Sequence, residues 1–150
     1  MKALIKFLIF FFVIEGCSKH PDLGNGYHLA SNGKYTLKII NYENTVVIGT
    51  HILDYAFDST FIIASQRPRE SIPNFFLMTY SESLRAFENS NFSQYWIINK
   101  KEANQPRLDT TTMIVHYSNV YGPFQKEGYL LNRLKLGVPD NLQLNSMIRK

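Results

Sequence analysis

The sequence has almost no cysteine: one in 150 residues, Cys17. A lone cysteine cannot close an intramolecular disulfide or build a cysteine-rich metal site. If Cys17 is consumed by modification, thiol catalysis is excluded as well. Apolar runs are also short. The longest uninterrupted one, Phe7 to Ile14, falls well below the roughly 20 residues that a bilayer-crossing helix needs. Charge of one sign is scarce: 16 Lys and Arg stand against 12 Asp and Glu, for a formal net charge of +4. The nearest thing to a basic cluster is Lys100-Lys101, which excludes the dense positive stripe of a nucleic-acid binder. Gly-rich phosphate loops, dinucleotide fingerprints, EF-hand loops, HExxH and the GxSxG elbow are all missing.

What the first residues do contain is ordered. Lys2 and Lys6 are followed by the apolar run, then by Glu15, Gly16 and Cys17. A positive start, a short apolar stretch and a small residue before the cut describe a secretory signal. The Gly16-Cys17 junction resembles a bacterial lipobox, in which cleavage precedes a cysteine that then carries a diacylglycerol, usually with a further palmitate-type N-acyl chain. One acyl chain holds a protein on a membrane only marginally, whereas several hold it firmly. The sequence therefore predicts a signal peptide over 1–16, a lipidated tether over 17–23 and a single domain over 24–150, exposed outside the cytoplasm on a bacterial envelope membrane. Loss of Lys2, Lys6 and Glu15 with the signal lowers the net charge by one. The remaining chain is long enough for one core.

The domain reads as β-rich. Asn32-Gly33 between two strand-like runs predicts a tight hairpin over Gly26–Ile40. Thr45–Asp58 reads as one long strand with Gly49 as a bulge, and Ser59–Gln66 as the next strand after an Asp58-Ser59 turn. Pro68 and Pro73 make Arg67–Thr79 a loop. Ser81–Ser90 predicts a short helix capped by Ser81, with Leu84 and Phe87 on one face. Phe92–Lys101 and Thr111–Ser118 are further strands, separated by a polar loop over Glu102–Thr110. Pro123 suits the first position of a helix whose face would be Phe124, Gly128, Leu131 and Leu134, with Leu130 beside it. Gly128 in its interior suggests a close contact. Gly137 and Pro139 would end that helix, and the polar tail from Asn141 would be partly ordered. About six strands in succession with short turns predict an α+β fold: a single domain, mainly antiparallel, with about two helices, one near the C-terminus.

Candidate chemistry is sparse. His51, Asp54 and Asp58 suggest metal or acid–base work, but strand alternation puts His51 and Asp54 on opposite faces, and Asp58 suits a turn. His116 could meet His51 across a sheet and hold zinc with a carboxylate. No local spacing supports this, so no catalytic residue, metal ligand or cofactor is assigned. Ser65 and Ser71 lack a nucleophile elbow. Gln66, Arg67 and Arg69 form a small basic loop, and arginine forks suit carboxylate or phosphate. The plainer alternative is a solvated loop with Glu70 as counter-charge. Phe75 and Phe76 open an apolar run that is either an exposed recognition patch or a buried edge. Trp96 alternates with Ile98 and suits the core.

Three stretches, "HILDYAFDSTFIIASQRP", "QYWIINKK" and "VYGPFQKEGYLLNRLKLGVP", resemble a family of small bacterial lipoproteins of unknown function over about Gly24 to Leu142. The resemblance implies an envelope lipoprotein with one α+β domain and carries over no catalytic residues. The residues then suggest a non-enzymatic module, anchored through Cys17, that binds an envelope protein or a small acidic ligand through Gln66, Arg67, Arg69, Phe75 and Phe76. The alternatives are an inhibitor or immunity-type lipoprotein and, further off, a metal-assisted hydrolase using His51 and His116.

Overall fold

The computed structural model describes residues 21–33, 35–111 and 114–145. The signal, the Gly16–Cys17 cleavage point and the Cys17 lipid-attachment position lie outside the described residues. The folded chain starts with β1 (Asp22–Gly24), which buries Leu23 completely. It pairs with β2 (Tyr27–Ala30), then β3 (Lys38–Ile40) and β4 (Val46–Ile48), in a four-stranded antiparallel sheet of order β1-β2-β3-β4. The β2–β3 hairpin is real, but its connection runs from Ser31 to Leu37 and is no two-residue turn. Ser31 and Thr36 hydroxyls both donate to the Gly33 carbonyl, which holds the longer loop.

The expected long strand over Thr45–Asp58 is broken. Gly49, Thr50 and His51 form a corner, and His51 takes the left-handed φ of 72°. On one side of it β4 pairs with β3. On the other, β5 (Ile52–Phe57) pairs with β6 (Phe61–Gln66) in a second antiparallel sheet. That sheet continues through β7 (Gln94–Asn99) to β10 (Val120–Phe124), in the order β10-β7-β6-β5. Asp58 opens the β5–β6 turn as expected: its Oδ1 accepts from the backbone N–H of Thr60 and of Phe61.

All six residues of β6 are buried, because both of its faces are covered. Side chains alternate along a strand. Ile62 and Ala64, with Ile98 of β7, pack against Leu23, Leu29, Ile39 and Ile48 of the first sheet, and Trp96 and Val120 close this core. Phe61 and Ile63, with Ile97, face the other way, toward Tyr129, Val138, Leu142 and Leu144. The result is three layers: sheet, sheet, and a cover made by the C-terminal helix and tail. Leu142 and Leu144 of the tail are thus part of the core, with Leu144 fully buried, because both pack with Tyr129 and Val138.

That helix, α2, spans Lys126–Leu136 and begins later than the sequence suggests. Val120–Phe124 is a strand, since the open edge of β7 offers it backbone partners: Val120 faces Ile98, Tyr121 faces Ile97 and Phe124 faces Tyr95. Pro123 therefore lies in the strand, after a cis Gly122-Pro123 peptide. The buried face of α2 is also different. Tyr129 is fully buried, while Leu131 and Leu134 are 67% and 76% exposed. Gly137 caps the helix in the left-handed conformation, as expected.

The polar stretch Glu102–Thr110 contains a strand, β8 (Pro106–Asp109), paired with β9 (Ile114–Tyr117) in a two-stranded ribbon. Proline at its first position costs no ladder bond. At the adjoining end of the domain Lys100 folds inward. Its Nζ donates to the Leu23 carbonyl at 2.6 Å and to the Asp58 carbonyl, and sits over the Phe57 ring. Burial lowers its pKa. Lys100 and Lys101 therefore form no surface pair. The described residues form one α+β domain, mainly antiparallel, with two α-helices among them.

Candidate functional site

Helix α1 spans Tyr80–Asn89 and is capped by Thr79, not Ser81. Thr79 and Glu82 exchange side-chain and backbone bonds in a capping box, the arrangement that satisfies two orphan N–H groups at once. Phe87 is the residue that α1 buries. The helix sits at the end of the domain where the His51 corner, the loop over 31–37 and the segment from Gln66 to Thr79 meet.

In that meeting place the side chains divide into scaffold and surface. Gln66 is buried and spent: its Oε1 accepts from Gln94 Nε2 at 2.7 Å and Trp96 Nε1 at 2.8 Å, and its Nε2 donates to the Thr50 carbonyl at 2.9 Å. It thereby props up the corner. Arg67 is spent too. Its Nη1 donates to the Phe87 carbonyl at 2.6 Å and its Nε to the Phe92 carbonyl at 2.9 Å, with the guanidinium over the Phe87 ring. Burial holds its pKa below the usual arginine value. Hydrogen bonds from a charged group to backbone contribute about 1.5–3 kcal/mol. Arg67→Ala is accordingly expected to cost about that much and to loosen α1, measured as the drop in urea midpoint.

Arg69 behaves differently. It is exposed, and its Nε donates to His51 Nε2 at 2.8 Å while Phe75 lies against the guanidinium at 5.4 Å. An arginine can only donate. His51 Nε2 is therefore the acceptor, and the imidazole is neutral with its proton on Nδ1, donated to Thr50 Oγ1 at 2.8 Å. Burial first, and the Arg69 charge second, hold the His51 pKa below its ordinary value. The terminal nitrogens of Arg69 have no hydrogen-bond partner among the described residues, and Glu70 makes no ion pair with either arginine among them. Arg69 edges a cleft of about 400 Å³ shared with Thr36, Thr50, Pro68 and Glu70. On its other side lies a smaller depression with Tyr35, Phe75, Tyr80 and Ser83 on its rim.

The lowered His51 pKa has a definite sign. Between the ordinary histidine value near 6.5 and the lower folded value, the unfolded chain binds the extra proton and the folded one does not, so stability rises with pH. The contribution is fully present above about pH 6.5 and is lost as pH falls through the folded value. A urea midpoint that falls between pH 7.5 and pH 5.5, and falls less in His51→Asn, is the expected outcome. Asparagine tolerates the left-handed φ there.

Other candidates are placed apart. His116 is exposed on β9, in the separate ribbon, and no group of three His, Cys, Asp or Glu among the described residues is arranged to hold a metal. Asp54 pairs across from Ser65 within the second sheet. Ser65 is 2% exposed and its hydroxyl has no partner among the described residues, on the β6 face turned away from His51's neighbour Gln66. Ser71 donates to the Pro68 carbonyl. Phe76 and Leu77 are 83% and 86% exposed, which settles that the apolar run is surface. The His51–Arg69 contact was not visible in the sequence. Its only signal there is an arginine-bearing loop following a histidine that strand alternation places on a regular strand.

A family model described as "Protein of unknown function (DUF3997)" matches residues 24–148. No curated protein and no solved structure matches the chain.

Proposed function

The chain belongs to the DUF3997 family, whose function is unknown, and from that premise we propose that it is a bacterial envelope lipoprotein, held by an acylated Cys17, that works as a non-enzymatic binding module. Arg69 is its recognition point, and the bound group is a carboxylate or phosphate on an envelope protein or a small acidic ligand. One observation supports this most directly: neutral His51 fixes Arg69 through Nε and leaves the rest of the fork unspent at a cleft. A guanidinium so oriented has already lost part of the freedom that binding removes. The anchor is supported by the Lys2–Cys17 pattern.

The test uses the lipidated chain with a C-terminal tag. Cross-linking in intact cells is expected to capture one reproducible partner. Arg69→Ala should weaken capture about ten- to a hundred-fold, the loss of a charge-assisted contact, while the urea midpoint stays near wild type. Arg67→Ala cannot serve here, because it disturbs α1. Cys17→Ser should move the protein out of the membrane fraction. Sedimentation of Cys17→Ser with membranes as in wild type would overturn the anchor, and unchanged capture by Arg69→Ala would overturn the recognition point.

A further inference from the structure

Phe76, Leu77 and Tyr80 stand 83%, 86% and 79% exposed within five residues, on the single 3-10 turn before α1 and on the first residue of α1. Phe76 leans edge-on against Phe75, which itself rests on Arg69, so the group is carried on a supported base. A contiguous apolar projection of this kind marks an interaction surface. Its place in the fold identifies what it meets.

The Pro21 carbonyl accepts from the Leu29 N–H, which puts the start of the described chain beside the Ala30 end of β2. From there the loop over 31–37 leads to Tyr35, whose ring contacts Phe87 of α1 and whose hydroxyl donates to Glu88. The register carries the same end across both sheets: Lys38 opposes Ala30, Leu37 accepts from Ile52, and Ile52 opposes Gln66. Pro21 and the Phe76–Tyr80 projection therefore lie at one end of the domain. Cys17 is four residues before Pro21, and four residues span at most about 14 Å in any conformation.

We infer that Phe76, Leu77 and Tyr80 form a second membrane contact, which seats in the interface of the bilayer that holds the anchor. This rests on the proposed lipidation of Cys17. Aromatic rings with a polar tip favour that depth: Phe76 and Leu77 would enter the acyl boundary and the Tyr80 hydroxyl would stay hydrated. The group itself is apolar, so lipid without net charge suffices to hold it. The opposite end of the domain presents the polar turn Asn41–Asn44, with Tyr42 exposed on it.

The experiment reconstitutes the full lipidated chain into zwitterionic vesicles. An environment-sensitive fluorophore is placed at Leu77→Cys or, as control, at Tyr42→Cys, because an acylated Cys17 takes no label. The acyl mass on Cys17 is measured on the same sample. A blue-shifted label at position 77, quenched by spin-labelled lipid, beside an unquenched label at 42, is the expected result. With the acyl mass present, an unquenched label at 77 overturns the second contact and leaves the anchor standing. A label at 77 that is shielded only when envelope proteins are added overturns it in favour of a protein partner. Absence of the acyl mass overturns the anchor reading and this inference with it.

Discussion

Gly122→Ala is expected to be severely damaging, lowering stability by about 2–6 kcal/mol. Two separate costs make up that range. Gly122 has a φ of +132°, which side-chain-bearing residues rarely adopt, and holding such a conformation costs about 1–3 kcal/mol. An added Cβ would also lie 2.7 Å from the Tyr95 carbonyl oxygen and 2.8 Å from Trp96 Cε3, and overpacking costs about another 1–3 kcal/mol. Neither neighbour can give way easily. Tyr95 is backbone in β7, and Trp96 is tethered through Nε1 to Gln66. A domain of this size holds about 5–15 kcal/mol in all, so much of the margin would go. Gly128→Ala is the contrast. There an added Cβ meets only Phe124 at 3.9 Å, so no close contact requires the glycine, and alanine should stabilise α2 by up to about 1 kcal/mol. Urea unfolding of the pair should move in opposite directions. A Gly122→Ala midpoint equal to wild type would contradict the packing of β10 on β7.

Tyr129→Ala is expected to cost about 3–5 kcal/mol, the range for emptying a buried aromatic site. The ring is fully buried, stacked on Tyr95 with centroids 4.9 Å apart, and its hydroxyl accepts from Arg133 Nη1 at 3.0 Å. Burial raises its pKa, in keeping with a phenol sealed from water. Tyr129→Phe keeps the ring and removes only the hydrogen bond, so about 0.5–1.5 kcal/mol should be lost. Leu131→Ala and Leu134→Ala should lie within about 0.5 kcal/mol of wild type, as exposed sites do. A leucine variant that costs more than Tyr129→Ala would mean that α2 docks on its other face.

The helix illustrates what could be read in advance and what could not. Its end was legible, because Gly137 followed by Pro139 is a local signal that needs no tertiary context. Its start and its face were not. Pro123 fits a first helical position and a strand equally well by itself, and the unpaired edge of β7 decided the matter. The leucines looked like the core face because they are the most apolar, yet the space above Ile63 and Ile97 is filled by a tyrosine and by Leu142 and Leu144 from beyond the helix. The class of fold followed from alternation and turn chemistry, which are local. The break at Gly49–His51 was legible only as a bulge at Gly49, since Val46–Phe57 is rich in strand formers on both sides of it and a left-handed histidine leaves no mark in the pattern. With that break hidden, His51 seemed a strand residue, and its pairing with Arg69 across the corner could not be foreseen. Arg67 and Arg69 are likewise indistinguishable in sequence. Only the position of the end of α1 separates the one that braces the fold from the one left at the surface.

The first sheet buries Leu23, Leu29, Ile39 and Ile48 against side chains that β6 and β7 supply. In a chain that emerges from its N-terminus, whether from the ribosome or across a membrane, the first four strands are out before their covering layer exists. The buried part of that core is incomplete until Ile98 has followed. Apolar surface held open for that interval is prone to mispairing. Synthesis thus has a natural point of commitment at the end of β7, and pauses upstream of it would leave Leu23, Leu29, Ile39 and Ile48 uncovered.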